Sequence, residues 1–290
     1  MTIAVVGLGL IGGSLCKAVK ARTPHTCLGL DTDADTIRQA LKDGAIDRAI
    51  DTDGLGGADL TIVALHPKQA IAFLQAHARA FRPGSLVMDV CGVKRAVVDA
   101  VSAPLHQAGV LFLGAHPMAG REFSGFSHAR EDLFQNASLI LTPDGSIPEG
   151  TLQAVRILAA DLGFSRVVKT TPDEHDRIIA FTSQLAHIVS SAYIKSPSQQ
   201  KQRGFSAGSY QDMTRVAYLN EDMWTDLFLM NRGPLLFELD NILAHLAEYR
   251  DALLDGDHSR LHALLRDGRM QKEKSMLDEP TLPCYSKPSK

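Results

Sequence analysis

The sequence predicts a doubly wound α/β domain with a mostly parallel sheet, followed by an all-α domain. Three observations predict it. Short β-branched or apolar runs alternate with helical patterns at intervals of roughly 20 to 30 residues, the spacing of parallel strands joined by right-handed crossovers. A glycine-rich turn containing Gly7, Gly9 and Gly12 joins the first of those runs to the first helical pattern. Beyond Thr171 the strand signal stops and only helical periodicity continues.

The elements read in order. In TIAVVGLGLIGGSLCKAVKA, Ile3, Val5 and Val6 mark a strand, and Leu10, Leu15, Ala18 and Val19 carry the helix after the turn. TCLGLD is a second short strand that closes on Asp31. DADTIRQALKDG is a helix capped by Asp33 and stopped by Gly44. ADLTIVAL is a near-continuous apolar run, as in a strand buried on both faces. PKQAIAFLQAHARAF is a helix with Pro67 in its first turn. GSLVMDV, GVLFLGAH, NASLILTP and SRVVKT are further strands, with helices KRAVVDAVSAPLHQAG and EGTLQAVRILAADLG among them. After the strands, PDEHDRIIAFTSQLAHIVSSAYIK, MWTDLFLMNRGPLLFELDNILAHLAEYRDALLDG and DHSRLHALLRDGRMQKEKSML read as helices. The chain accordingly divides into residues 1–170, all-helical residues 171–276 and a loose, Pro-, Ser- and Lys-containing tail, 277–290.

Bulk composition narrows the function classes. The 290 residues are 45% hydrophobic and 22% charged, a globular balance with enough chain for a substantial core. A formal net charge of −3 without blocks of like charge leaves no footprint for nucleic acid and no basic patch for a membrane surface. No apolar run reaches membrane-spanning length. Cys16, Cys27, Cys91 and Cys284 lack paired spacing, which argues against a metal site and for a reduced, cytoplasmic protein. Thr2 already opens an apolar strand, with no charged-then-apolar leader before it.

The glycine turn carries the first chemistry. In a strand–turn–helix context, the first glycine permits the tight turn, the second admits a pyrophosphate to the backbone, and the third lets helix and strand pack closely. The helix N-terminus then offers free N–H groups and a positive partial charge to phosphates. Asp31 closes the next strand about 20 residues on, where a carboxylate binds both ribose hydroxyls of NAD and repels the 2′-phosphate of NADP. NAD is therefore the expected cofactor. Its expected site is Gly7, Leu8, Gly9, Leu10, Ile11 and Gly12 with Asp31, together with Leu65, His66 and Cys91 at neighbouring strand ends. A ligand-free glycine turn is the plain alternative, and His66 reads more simply as a solvated loop residue than as a catalytic one.

GAHPMAGREFSG holds the second chemistry. Ligands of open α/β sheets sit beyond the C-terminal strand ends, and VLFLGAH delivers His116 to that edge. A neutral imidazole with a pKa near working pH suits the removal of a proton from a hydroxyl; the alternative is a turn histidine bonded to backbone. Glu122 can orient a base or bond a substrate, or pair with Arg121 or Arg130. Further on, no residue between Arg177 and Lys195 is charged. Phe181, Leu185, Ile188, Val189 and Ala192 form one helical stripe, with Ser183, Gln184, His187 and Ser191 on the other side. An uncharged polar face suggests burial against a partner subunit or a pocket, so His187 is a substrate-site candidate or else a satisfied buried histidine. Arg215 offers a planar fork for a carboxylate, although Asp212, three residues earlier, makes an intrahelical ion pair the simpler reading of the spacing.

Taken in order, GLGLIGGS, DVCGVK, HPMAGRE, TSQLAHIV, DMTRVA and MWTDLFLMN resemble the prephenate/arogenate dehydrogenase family of tyrosine biosynthesis, over a stretch from Ile3 to about Ala247. The resemblance implies an N-terminal Rossmann-like doubly wound, mostly parallel sheet followed by an all-α dimerisation domain that forms a homodimer. It implies oxidative decarboxylation of a cyclohexadiene, prephenate or arogenate, with NAD(P) as acceptor and an aromatic product. His116 falls on the family's catalytic histidine and Arg215 on the arginine that binds the ring carboxylate. His187 falls on a histidine near the substrate side chain, Glu122 on a glutamate of the polar network, and Trp224 on a tryptophan near the pocket. Gly92, after Cys91, stands where many relatives have a serine, and Ala207 and Ser209 stand where glycines are frequent. Other enzymes with a dinucleotide domain and a helical dimer domain, of the 3-hydroxyacid or pyrroline-carboxylate type, are the alternative. A non-catalytic NAD-responsive regulator would need neither His116 nor Arg215.

Overall fold

The computed structural model describes residues 1–120 and 123–277. Arg121, Glu122 and the tail from residue 278 on lie outside the described residues, and with them the expectation for Glu122.

The alternating pattern builds one eight-stranded sheet. Its strands are β1 (Thr2–Val6), β2 (Thr26–Leu30), β3 (Arg48–Ala49), β4 (Leu60–Val63), β5 (Leu86–Asp89), β6 (Leu111–Pro117), β7 (Ser138–Thr142) and β8 (Arg166–Lys169). Their order across the sheet is β3-β2-β1-β4-β5-β6-β7-β8. Every pairing is parallel except β6 with β7, which is antiparallel. The chain moves outward one way from β1 through β2 to β3, then jumps back to β4 beside β1. That reversal opens a crevice at the C-terminal ends of β1 and β4.

Strand periodicity splits the core in two. Ile3 and Val5 face one apolar cluster, with Leu15 and Val19 of α1 (Leu10–Arg22) and Leu158 and Leu162 of α5 (Glu149–Leu162). Ala4 and Val6 face the other, with Leu74 of α3 (Pro67–Ala76) and Val97, Val101 and Leu105 of α4 (Arg95–Gln107). Residues of β1, β4 and β5 are buried on both faces, which is why those segments read as continuous apolar runs. Burial of each large apolar side chain contributes about 1.5–3 kcal/mol. Local signals set the helix ends: the Asp33 carboxylate accepts from Asp35 N to cap α2 (Ala34–Lys42), Pro67 opens α3, and Gly163 at φ 103° closes α5.

Thr171 caps the first helix of the second part, accepting from Glu174 N. The continuous helix expected from Pro172 on is interrupted: α6 (Pro172–Ile179) passes through a wide π turn, Ala180–Leu185, before α7 (Ala186–Tyr193). A π turn adds a residue and rotates the next helix about its axis. The expected stripe is corrected accordingly: Phe181 and Ala192 are exposed, whereas the polar Gln184 and Ser190 are buried beside Leu185. After a short α8 (Gly208–Thr214), the long helix expected from Met223 to Gly256 is two helices, α9 (Glu221–Met230) and α10 (Arg232–Leu254), divided at buried Asn231. The last helix is α11 (His258–Leu277). Leu236, Phe237, Leu243, Leu246, Leu253 and Leu254 of α10 are exposed. Among the described residues, no helix is long and apolar enough to cross a membrane.

Candidate active site

The glycine turn sits at the crevice between β1 and β4. Gly7 has φ 85° and its N–H bonds Leu30 O at 2.8 Å, so the chain turns sharply off β1. A Cβ on Gly12 would fall inside the van der Waals radius of the Gly7 carbonyl oxygen. A Cβ on Gly9 would meet nothing within 4 Å. The first and third glycines are thus demanded by the protein's own packing, and the second is demanded only by something that comes to the turn from outside. No side chain caps the start of α1, which leaves its first amides for an incoming anion. Asp31 lies beside them: its Oδ2 accepts from Leu8 N at 2.6 Å and its Oδ1 from Asp33 N at 2.9 Å. Leu65 packs on Gly7. Cys91 is buried with its Sγ 3.6 Å from Leu65 O, and burial pushes its thiol far above the ordinary range, so it packs as a neutral group. His66 is exposed at the N-terminus of α3. The pocket offers a turn, amides and a carboxylate, the donor and acceptor set of a dinucleotide site.

β6 carries His116 to the same edge of the sheet, half-buried, in register with Ile140 of β7. Its Nδ1 lies 2.9 Å from Nε2 of His175. Its Nε2 points the other way: it would stand 3.8 Å from a Cβ on Gly92, which would also be 3.6 Å from Leu227 Cδ2. Burial holds the imidazole pKa well below its usual value, and the neighbouring His175 and Lys94 add to the effect.

Behind His116 lies a buried polar network that the sequence did not announce. Lys94 is fully buried, pairs with the Asp89 carboxylate and donates to Ala115 O at 2.5 Å. Asp176 accepts from Lys94 N at 2.8 Å and from Arg95 N at 2.9 Å, at the opening of α4. His175 Nδ1 lies 2.7 Å from Asp176 Oδ1. Asn231 donates to Asp176 O and to Gln184 Oε1, both at 2.8 Å. His175 and Asp176 sit in the charged string PDEHDR, which by composition reads as a solvated first turn; only packing against α4 and β6 buries them.

The opposite wall comes from the helices. His187 donates from Nδ1 to Val216 O at 3.0 Å, and its ring lies 3.9 Å from that of Trp224, centroid to centroid. Burial lowers its pKa; the Val216 carbonyl works against that, and the nearby Arg215 charge adds to it. Arg215 stands where α8 gives way to a 3-10 turn, with its side chain exposed. Trp224 and Leu227 are one turn apart on α9, about 5 Å along its axis. Leu227 reaches Gly92 beside His116, and Trp224 reaches His187 beside Arg215. One helix turn therefore links the strand-end imidazole to the wall that holds the guanidinium. Of the expected site residues described, His66 and Arg215 are exposed.

Comparison with known proteins places these features in context. Residues 15–168 match the nucleotide-binding domain of prephenate dehydrogenase, and residues 171–267 match the dimerization domain of prephenate dehydrogenase. The chain is 31% identical over 269 residues to a prephenate dehydrogenase of Bacillus subtilis, covering 90% of this chain and 72% of that one. It is 30% identical over 275 residues to a cyclohexadienyl dehydrogenase of Zymomonas mobilis, covering 90% and 92%. In fold it is similar to prephenate dehydrogenase from A. aeolicus in complex with hydroxyphenyl propionate and NAD+, with a TM-score of 0.84, 23% identity and coverage of 95% and 98%.

Proposed function

The chain belongs to the prephenate dehydrogenase family, and from that premise we propose that it is an NAD-dependent dehydrogenase converting prephenate to 4-hydroxyphenylpyruvate by oxidative decarboxylation, with arogenate as the alternative substrate. The observation that carries this reading is the link through α9 between His116 and the His187–Trp224–Arg215 wall. A neutral base and a cation tied together through that helix suit a hydroxylated dianion bound beyond the dinucleotide turn. The A. aeolicus fold neighbour, in complex with NAD+ and a hydroxyphenyl acid, agrees with a site of this kind.

Each residue has a task in that reaction. NAD, when bound, supplies the two-electron acceptor for the ring carbon that bears the hydroxyl. His116 takes the hydroxyl proton at Nε2, and the ring carboxylate leaves as carbon dioxide while the ring becomes aromatic. Arg215 binds the ring carboxylate through its planar fork, a charge-assisted contact stronger than a neutral hydrogen bond. His187 meets the side-chain end of the substrate, and Trp224 fixes His187 by ring contact. The pinned Asp31 carboxylate favours NAD over NADP, because a 2′-phosphate there would meet a like charge. Residues 1–170 form the dinucleotide part and 171–276 the substrate and dimerisation part. A second copy covers the exposed apolar residues of α10, making the enzyme a homodimer. Free Cys16, Cys27 and Cys91 fit work in the reducing cytoplasm.

The test is direct. Purified protein with prephenate and NAD yields reduced cofactor and 4-hydroxyphenylpyruvate in equal amounts, faster than with NADP; no turnover of either prephenate or arogenate would overturn the reading. Arg215→Ala raises KM for the substrate by roughly 10- to 100-fold, the worth of a hydrogen bond to a charged group, and leaves NAD affinity unchanged. A KM unaffected by that change would return Arg215 to a surface role.

The pH dependence is set by His116. A base must be neutral to accept a proton, and burial holds this imidazole neutral far into acid. Activity is therefore full above an ordinary imidazole pKa of about 6.5 and is lost only as pH falls through the lower value of the folded enzyme. A profile of kcat/KM against pH should show its acid limb well below 6.5. A limb at or above that value would mean that the site does not hold His116 neutral.

A further inference from the structure

Both ring nitrogens of His175 are engaged, and its partners fix which of them carries the proton. Nδ1 lies 2.7 Å from Asp176 Oδ1. That carboxylate also accepts two backbone N–H groups, one on each oxygen, from Lys94 on Oδ1 and Arg95 on Oδ2, so neither oxygen calls for a proton of its own. An ionised carboxylate only accepts. His175 therefore donates from Nδ1, and in a neutral imidazole its Nε2 is then a bare lone pair that only accepts. The group facing that lone pair, at 2.9 Å, is Nδ1 of His116. It must be the donor. His116 is left with its own lone pair on Nε2, the nitrogen turned toward Gly92 and Leu227.

We propose that His175 and Asp176 are positioning residues that lock His116 into the Nδ1–H tautomer and so keep Nε2 ready to take the substrate's proton. The proposal rests on the reading of His116 as the base. When Nε2 accepts the hydroxyl proton, the O–H electrons stay with the oxygen as a carbonyl, become a phenolate when the ring aromatises, and take the proton back from Nε2 to leave the phenol of the product. The electron pair of the C–H bond goes to the bound acceptor, and that of the C–CO2 bond goes to the ring. His116 becomes an imidazolium that still donates from Nδ1 to His175, with the carboxylate behind it. Among the described residues, the charged groups facing this line are few. Asp89 and Lys94 pair with each other, and Lys94 and Arg95 give Asp176 only their backbone amides. The Arg95 side chain turns away to Asp99 and Asp173. From the α9–α10 junction, Asn231 presents a neutral amide to Asp176 O. Both His175 and Asp176 are almost wholly buried, so no water competes for their hydrogen bonds.

The tautomer is directly measurable, without substrate. In protein labelled with 15N-histidine, the His116 signals are identified by their loss in His116→Asn, and they should show Nδ1 protonated and Nε2 bare. In Asp176→Asn a neutral amide replaces the carboxylate that holds the proton on His175 Nδ1, so the preference weakens and part of His116 should move to the Nε2–H form. Kinetics give the second readout. His175→Phe and Asp176→Asn should lower kcat by roughly 10- to 100-fold, the usual worth of an orienting partner, with KM for the substrate and NAD affinity held. His175→Gln, whose amide oxygen can accept from His116, should recover part of the loss. A purely structural role would lower folded yield and shift all parameters together. An Nε2–H tautomer in the wild-type protein overturns the proposal even if the variants fail to fold, and so does an unchanged kcat in His175→Phe. If neither prephenate nor arogenate turns over, the functional reading falls while the tautomer measurement still decides this one.

Discussion

Replacing His116 by asparagine lowers kcat with prephenate by roughly 10²–10⁴-fold, the usual contribution of a positioned general base, while the affinity for NAD stays the same. The reason lies in how asparagine overlays the ring. Its amide nitrogen falls near Nδ1 and can still donate to His175 Nε2, so the buried partner is not stranded. Nothing occupies the position of Nε2, so nothing takes the proton. The glycine turn, Asp31 and Leu65 are untouched, so the dinucleotide site keeps its shape. Steady-state kinetics alongside calorimetric titration with NAD separate the two effects. A variant that retains the wild-type kcat would remove His116 from the chemistry, and one that loses NAD binding would make it a structural residue.

The second large effect contrasts two glycines of one turn. Gly12→Ala drives a methyl group into the carbonyl of Gly7, and the neighbouring contact is backbone that cannot swing aside. Helix α1 must lift from β1, which opens the seat of the pyrophosphate. NAD affinity should fall by at least about a hundredfold, and the thermal midpoint should drop, because overpacking of this kind costs roughly 1–3 kcal/mol or more. Gly9→Ala meets nothing within 4 Å and sits at φ −70°, a value any residue adopts. Its melting temperature should match that of the wild type while NAD binding still weakens, because the methyl group occupies the space a phosphate needs. Differential scanning calorimetry and NAD titration on the pair make the comparison. Equal NAD affinity in Gly9→Ala and wild type would place the phosphates elsewhere.

Much of this architecture was readable because local chemistry and tertiary demand agree. The glycine turn, the Asp33 and Pro67 helix starts, and the apolar runs of β1, β4 and β5 each state their role in a few residues. Strand direction is different: NASLILTP has the same apolar pattern whether it runs with β6 or against it, and it runs against it. Two-residue β3 is too short to leave a pattern at all. The breaks at Ala180–Leu185 and Asn231 are set by distant partners, since Gln184 and Asn231 are turned inward to bond each other and the backbone of Asp176 and Leu227. Among the site residues, His116, His187, Arg215 and Trp224 came from motifs and from the resemblance those motifs carry. His175 and Asp176 did not, because burial of a charged-looking segment cannot be seen in composition, and Lys94, although inside DVCGVK, carries no sign there that it is buried. The one clue was cost: a histidine and an aspartate adjacent at a helix start, directly after the last strand, lie within reach of the ligand edge.

Asp176 is numbered with the helices but completes the opening of α4, a helix that packs on the sheet. The change of pattern near residue 170 is therefore no seam along which the protein comes apart. A fragment ending there would carry α4 with bare leading amides and a strand-end imidazole free to hold its proton on either nitrogen. Recombination that grafted a foreign helical half onto this sheet would have to deliver a carboxylate and an imidazole to the same two places. A chimaera without them could fold, bind its dinucleotide and still be a poor catalyst.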